Sequence, residues 1–406
     1  MADRGTQLDS IKTQSTLGSL VAQQIAESFY QRLTFAEFME LALYHPLHGY
    51  YSANRPKIGV KGDFFTSPHL GPDFGELLAE QLAQMWQILQ YPSPFTLVEM
   101  GAGQGLLAVD VLRYLQTHYP KLFNALQYII VERAAALIAE QQWQLQEFSL
   151  SGLSIQWRTW EDIPPDSITG CFFSNELVDA LPVHQVVLEQ GQLKEIYVTC
   201  QMQPDGSFQF VEVMGEPSTS ALPDYFSWLG IDIASSVYPN GYRSEVNLAA
   251  LDWMKTVADR LHRGYVLTID YGYPAERYYH PNRTEGTLQC YYHHAHHSNP
   301  YCYVGEQDIT AHVNFTALER QGEACGLKQA GFTKQGLFLM ALGLGDRIAA
   351  LSQTATSNPQ NILTTLQQRE ALHQLVNPMG LGNFGVLIQS KGVESSEPLR
   401  GLQGEV

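Results

Sequence analysis

Residues 96–115 read TLVEMGAGQGLLAVDVLRYL. An apolar run carries one acid, Glu99, and leads into alternating glycines at Gly101, Gly103 and Gly105. From Leu106 onward apolar residues recur at helical spacing. The pattern predicts a buried strand, a tight turn and a helix. Glycines in such a turn let the backbone pass close to a ligand, and the helix start offers N–H groups without intrahelical partners. No Gly-Lys-Ser/Thr follows, so a nucleoside triphosphate is not expected, and the glycines are spaced differently from those of pyrophosphate turns.

The same alternation continues downstream. LQYIIVE reads as a strand, RAAALIAEQQWQLQEF as a helix, and LSIQWRTW and GCFFSNEL as further strands. Buried apolar runs alternating with helices predict an α/β fold with a doubly wound, mostly parallel sheet. After DALPV the rhythm changes. HQVVLEQGQLKEIYVTC and FQFVEVM read as a hairpin, and residues 215–245 as irregular. NLAALDWMKTVADRLH (helix) and GYVLTIDYG (strand) resume the alternation, 272–313 is a second excursion, and GFTKQGLF and FGVLIQS read as late strands. Upstream, LVAQQIAESFYQ, FAEFMELALY and PDFGELLAEQLAQMWQIL are helical, with Pro72 and Asp73 marking the start of the last. HGYYSANRPKIGVKGDFFTSP between them is a long loop. The expected organisation is an N-terminal helical and lid region over 1–90, then a main domain over 91–391. That domain carries insertions at about 183–245 and 272–313, and a mobile tail follows over 392–406.

Composition bounds the partners. The 406 residues carry a formal net charge of −17, which argues against broad nucleic-acid binding and is compatible with a cationic partner. The five cysteines form no CxxC pair, so free thiols in a reducing compartment are expected. No apolar run approaches the roughly 18 residues of a membrane span. The first residues show neither a signal-peptide core nor an arginine-rich transit pattern. The expectation is a cytoplasmic protein without membrane insertion.

A turn of this kind suits S-adenosyl-L-methionine, which has a ribose and an amino-acid end but no phosphate. Glu132, at the end of YIIVE, is placed to accept the ribose hydroxyls. Trp160, Glu161 and Asp162 in WEDIP offer an aromatic beside carboxylates for the adenine amine. The competing reading is a turn that binds a nicotinamide dinucleotide, or nothing, its glycines serving only to pack helix on strand.

Six segments occur in order: FMELALYHPLHGYYS, KGDFFTSP with FGE, VEMGAGQG, SNELVDALPVHQ, IDYGY and GEQDITAHVNF. Together they resemble the MidA-like methyltransferases, the family of the mitochondrial complex I assembly-factor arginine methyltransferase and its bacterial relatives, over about residues 30–390. The resemblance implies a class I methyltransferase fold with N-terminal helices and inserted substrate-side elements. It also implies transfer of a methyl group to an arginine of a protein such as a complex I (NADH dehydrogenase) core subunit. Two positions depart from the family pattern: Ala102 stands where proline is usual, and Leu177–Val178 where an aromatic pair is frequent. Neither change removes a chemical group. Alternatives are a methyltransferase of another protein or of a small molecule, and an assembly factor using the fold without catalysis. A homodimer is one permitted assembly.

A guanidinium is delocalised and protonated; carboxylates that bind it in bidentate fashion localise its charge and leave one nitrogen to attack. Acids at the carboxyl ends of the strands are therefore the candidates. Asn175 and Glu176 end the fourth strand, Asn175 toward the donor and Glu176 as a guanidinium clamp. Asp179 shares that role or caps a turn. Glu245 is a capping or a substrate acid. Asp308, Thr310 and His312 alternate along DITAHVNF, so one strand face could present all three; the resemblance puts this segment by the active site, with Asp308 and His312 as candidates for substrate orientation or proton removal. The other reading is a hydrogen-bonded edge before a helix. His293, His294, His296 and His297 near Cys290 and Cys302 match no zinc spacing, and no metal is expected. GDFFTSP reads as a lid whose Phe64 and Phe65 exclude water or pack the N-terminal helices.

Overall fold

The structure, a computed structural model, describes residues 15–52, 66–293, 295–357, 362–395 and 397–403. Phe64 and Phe65 of the expected lid, and His294, lie outside the described residues. The chain divides into two compact units.

The second unit (66–178, 253–272 and 318–403) is built on a seven-stranded sheet. Its strands are β1 (Phe95–Met100), β2 (Leu126–Val131), β3 (Ser154–Trp157), β4 (Ile168–Asn175), β5 (Leu261–Asp270), β6 (Lys328–Lys334) and β7 (Gly385–Lys391). They lie in the order β6-β7-β5-β4-β1-β2-β3. Strands β1 to β5 pair in parallel, and β7 runs antiparallel to both β5 and β6. All six residues of β1 are buried, as a central strand covered on both faces requires. Chain order runs outward from β1 to β3, then returns to place β4 on the other side of β1. That reversal is the switch point beside which open α/β sheets hold ligands, at the carboxyl ends of the strands.

Helix α1 (Asp73–Ile88) starts at Pro72 with Asp73 and Glu76 in its first turn, where the helix dipole favours acids. Arg347 binds both carboxylates. Helices α2 (Leu106–His118) and α3 (Ala135–Gln144) follow β1 and β2. Residues 335–341, within the segment read as the GFTKQGLF strand and beyond it, form a helix instead. Phe338 and Leu339 are adjacent and both fully buried, which suits a helix packed into a core and breaks strand alternation. In the expected tail, Leu399 is buried and the Gly401 N–H donates to Gln81 at 2.8 Å.

The first unit (15–52, 179–252 and 273–317) carries a five-stranded sheet. His184–Glu189, Gln192–Met202 and Phe208–Gly215 form a three-stranded antiparallel meander where a hairpin was expected, and Arg243–Val246 and Leu33–Thr34 extend it. Thr34 and Glu37 form a capping box that starts the helix Phe35–Tyr44. The stretch read as irregular holds a helix, Ala221–Leu229, with Leu222, Tyr225, Phe226 and Leu229 buried at helical spacing. Glu245 does not open a helix. It lies in the strand Arg243–Val246, where its carboxylate accepts the Thr287 and Leu288 N–H groups at 2.9 and 3.3 Å.

Candidate functional site

The glycine turn leaves β1 and enters α2. The Gly101 N–H donates to the Val131 carbonyl at the end of β2, 3.0 Å away. Gly103 has φ +53, a conformation costly to any residue with a Cβ, and a Cβ built there would meet no atom within 4 Å. The backbone is thus left bare towards open space. Gly105, at φ +81, caps α2, and the helix begins at Leu106 with its first N–H groups unpaired within the helix.

Glu132 follows β2. Its Oε1 accepts the N–H groups of Arg133 and Ala134 at 2.8 and 3.0 Å. Burial raises its carboxyl pKa, against the opposing pull of those N–H bonds and of Gln141. The backbone bonds hold one oxygen and aim the other, which meets the Gln141 amide at 3.3 Å. At the end of β4 the Asn175 amide donates to Glu176 Oε1 at 3.1 Å, while its own Oδ1 is buried with no hydrogen-bond partner among the described residues. A buried acceptor of this kind waits for a donor.

Glu176 is a non-glycine residue at φ +52. That region costs an L-residue about 1–2 kcal/mol and is kept where the surroundings overdetermine it. Here the Glu176 N–H is held by the Ile269 carbonyl at 2.9 Å, and two residues on the Val178 N–H is held by buried Asp270 at 2.9 Å. The acid end of IDYGY thus anchors the turn that carries Glu176.

Other expected donor-side groups are placed differently. Glu99 is 3% exposed and accepts the Tyr128 hydroxyl at 2.6 Å; burial pushes its pKa up to about 7. Glu161 and Asp162 lie on an exposed turn, and Asp162 Oδ2 accepts both the N–H and the hydroxyl of Thr159. The adenine role expected of Asp162 meets a carboxylate already used by its own turn, a local bond that short acids form readily.

In the first unit, Asp308 is 2% exposed on the strand Asp308–Thr310 and accepts the Tyr51 hydroxyl at 2.9 Å. The Ala311 N–H donates to the Asp179 carbonyl at 2.9 Å, so the DALPV and DITAHV segments lie side by side. Tyr44 stacks on Tyr51 at 5.5 Å and donates to the Ala180 carbonyl at 2.9 Å. Burial, then the charges of Asp308 and Asp179 with Tyr44 between them in strength, drive the Tyr51 pKa well above that of a free phenol. Sequence reading missed these two tyrosines of LALYHPLHGYYS, Tyr44 at the end of the helix Phe35–Tyr44 and Tyr51 in the segment after it. His312 lies past the end of the strand that Asp308 and Thr310 share, so the common face expected for all three stops short of it. Its ring stacks on Tyr273 at 5.0 Å and 8°. Burial, helped by Arg283, lowers its pKa to about 4, so it is a neutral imidazole at neutral pH. In the His-rich segment, Cys290 and Tyr291 pair across strands with His297 and His296. No group of three His, Cys, Asp or Glu side chains among the described residues is set to hold a metal ion.

The residues of the second unit fit a phosphate-free nucleoside: a bare glycine turn, an aimed carboxylate at Glu132 and an orphaned acceptor at Asn175. A family model for S-adenosyl-L-methionine-dependent methyltransferases matches residues 77–333. A Drosophila melanogaster protein named protein arginine methyltransferase NDUFAF7 homolog, mitochondrial, is 30% identical, over 95% of this chain and 87% of its own length. The Homo sapiens protein arginine methyltransferase NDUFAF7, mitochondrial, is 27% identical, over 88% of this chain and 80% of its own. A crystal structure of a COG1565 superfamily member from Burkholderia thailandensis, bound to S-adenosyl-homocysteine, superposes with a TM-score of 0.81 at 30% identity; 95% of this chain and 94% of that one are covered. The relatives are named as mitochondrial proteins, which overturns the expectation of a cytoplasmic protein. Free thiols and an acidic composition suit any reducing compartment and do not tell one from another. Among the described residues no helix is long and apolar enough to cross a membrane.

Proposed function

We propose, for a chain that belongs to the family of S-adenosyl-L-methionine-dependent methyltransferases, that the methyl acceptor is an arginine side chain of a protein. We take a complex I-type subunit as the substrate. The relatives' names support the acceptor, and the backbone of Glu176 is the observation that carries it. An acid kept in a left-handed conformation at the end of a central strand is what substrate positioning, rather than packing, asks for.

S-adenosyl-L-methionine, when bound, supplies an electrophilic methyl on a sulfonium. Glu132 presents one carboxylate oxygen to the ribose hydroxyls. Gly101, Gly103 and Gly105 leave the backbone free to approach the amino-acid end, and Asn175 offers its orphaned acceptor. Glu99, buried and bonded to Tyr128, would act by shaping the end of β1, and Glu161 and Asp162 would serve the adenine through their turn. Glu176 takes the guanidinium and localises its charge. Asp179, Asp308 and His312, all in the first unit, are on this reading the further candidates for substrate orientation and proton removal. Residues 183–245 and 272–313 are substrate-side insertions on this reading.

The test is the full chain with methyl-labelled S-adenosyl-L-methionine and complex I-type subunits, read by mass spectrometry of arginine-containing peptides. Label on an arginine, lost in Glu176→Gln with donor binding kept, supports the proposal. Label on another residue or on a small molecule would replace the acceptor.

A further inference from the structure

We infer that Gln141 is a positioning residue of the donor site, holding the glycine turn and the sugar-binding acid at one fixed spacing. The inference rests on the reading of Glu132 as the ribose acceptor.

Gln141 lies on α3 and is wholly buried. Its amide nitrogen donates to the Gly103 carbonyl at 2.7 Å and to Glu132 Oε2 at 3.3 Å. Its amide oxygen accepts the Trp157 indole N–H at 2.8 Å. An amide can be turned end for end, but an indole N–H only donates, so Trp157 decides which end is oxygen. The nitrogen must then face the turn and the acid, and its two hydrogens serve two acceptors. One side chain therefore joins the carboxyl ends of β1 and β2 and takes its orientation from β3. It also fills the space beside Gly105, where an added Cβ would lie 3.3 Å from Gln141 Cγ. A core glutamine that served packing alone would not need its donor end at the Glu132 oxygen that the backbone leaves open.

The experiment is calorimetric titration of the full chain with S-adenosylhomocysteine and with its 2′-deoxyribose analogue, beside thermal unfolding of each variant. Wild type should prefer the ribose compound. Gln141→Met keeps the volume and removes the amide. It should bind S-adenosylhomocysteine about tenfold or more weakly, the scale of one charge-assisted hydrogen bond, and its ribose preference should shrink towards one. Trp157→Phe frees the amide to turn; it should shrink the same preference in smaller measure, and decides the matter if Gln141→Met does not fold. Both variants keeping the wild-type preference, with only the unfolding temperature lowered, would make Gln141 a packing residue and overturn the inference. Glu132→Ala separates the two readings. If that variant also keeps the preference, the role of Glu132 has failed. If it alone loses the preference, only the inference about Gln141 has failed.

Discussion

Glu176 concentrates the conflict between stability and chemistry in one residue. Its φ of +52 suits glycine better than glutamate. Glu176→Gly should therefore leave stability unchanged or raise it by up to about 1 kcal/mol after the lost bond to Asn175, while abolishing methyl transfer. Parallel melting and methylation assays check this; a variant that is both destabilised and active would refute the strain argument. Glu99 makes a different prediction. Its folded pKa, about 7, lies above the ordinary 4.5, so the folded state holds a proton that the unfolded chain releases. Stability from this group is full below about pH 4.5, falls as pH rises towards 7 and is gone above it. The full span is on the order of 3 kcal/mol, and Glu99→Gln should flatten that part of a denaturant-midpoint-against-pH curve. Both acids were visible in the sequence. Their different roles were not, because burial and φ are set by neighbours distant in the chain.

At the scale of elements, the turn after β4 depends on β5. Asp270 is fully buried and receives the Val178 N–H. Asp270→Ala leaves that N–H buried without its acceptor, which should cost about 1–3 kcal/mol and loosen the segment carrying Glu176. Thermal unfolding and methyl transfer should fall together; a variant of wild-type activity would show that the turn holds without its anchor. Strand and helix positions around the glycine turn were legible because β1, β2 and β4 are short apolar runs bounded by Gly, Glu and Asn. The helix Gln335–Ala341 and the helix Ala221–Leu229 were not read. In the first, the strand's apolar pattern runs on without a stop signal; in the second, a real helical period sits behind Pro223 in a polar neighbourhood.

For the whole molecule, the net charge of −17 sets the response to salt. A cationic protein substrate is drawn by that field, and the attraction is screened beyond about 8–10 Å at ordinary ionic strength. Raising salt should raise KM for an arginine-bearing protein while leaving the affinity for S-adenosylhomocysteine, which carries no net charge, nearly unchanged. Equal weakening of both would place the salt effect on the fold instead of on the encounter.

The amino-acid order by itself determined the parallel strands, the glycine turn and the acid at Glu132, since each depends on a local period or on residues a few positions apart. Folding alone decided the rest: that Glu99 faces the core, that Asp162 is used by its own turn, that Tyr51 meets Asp308 across 257 positions, and that Gln141 bridges Gly103 and Glu132. Those outcomes depend on which buried polar groups find partners, and a hydrogen bond formed across the fold leaves no periodic trace in the chain.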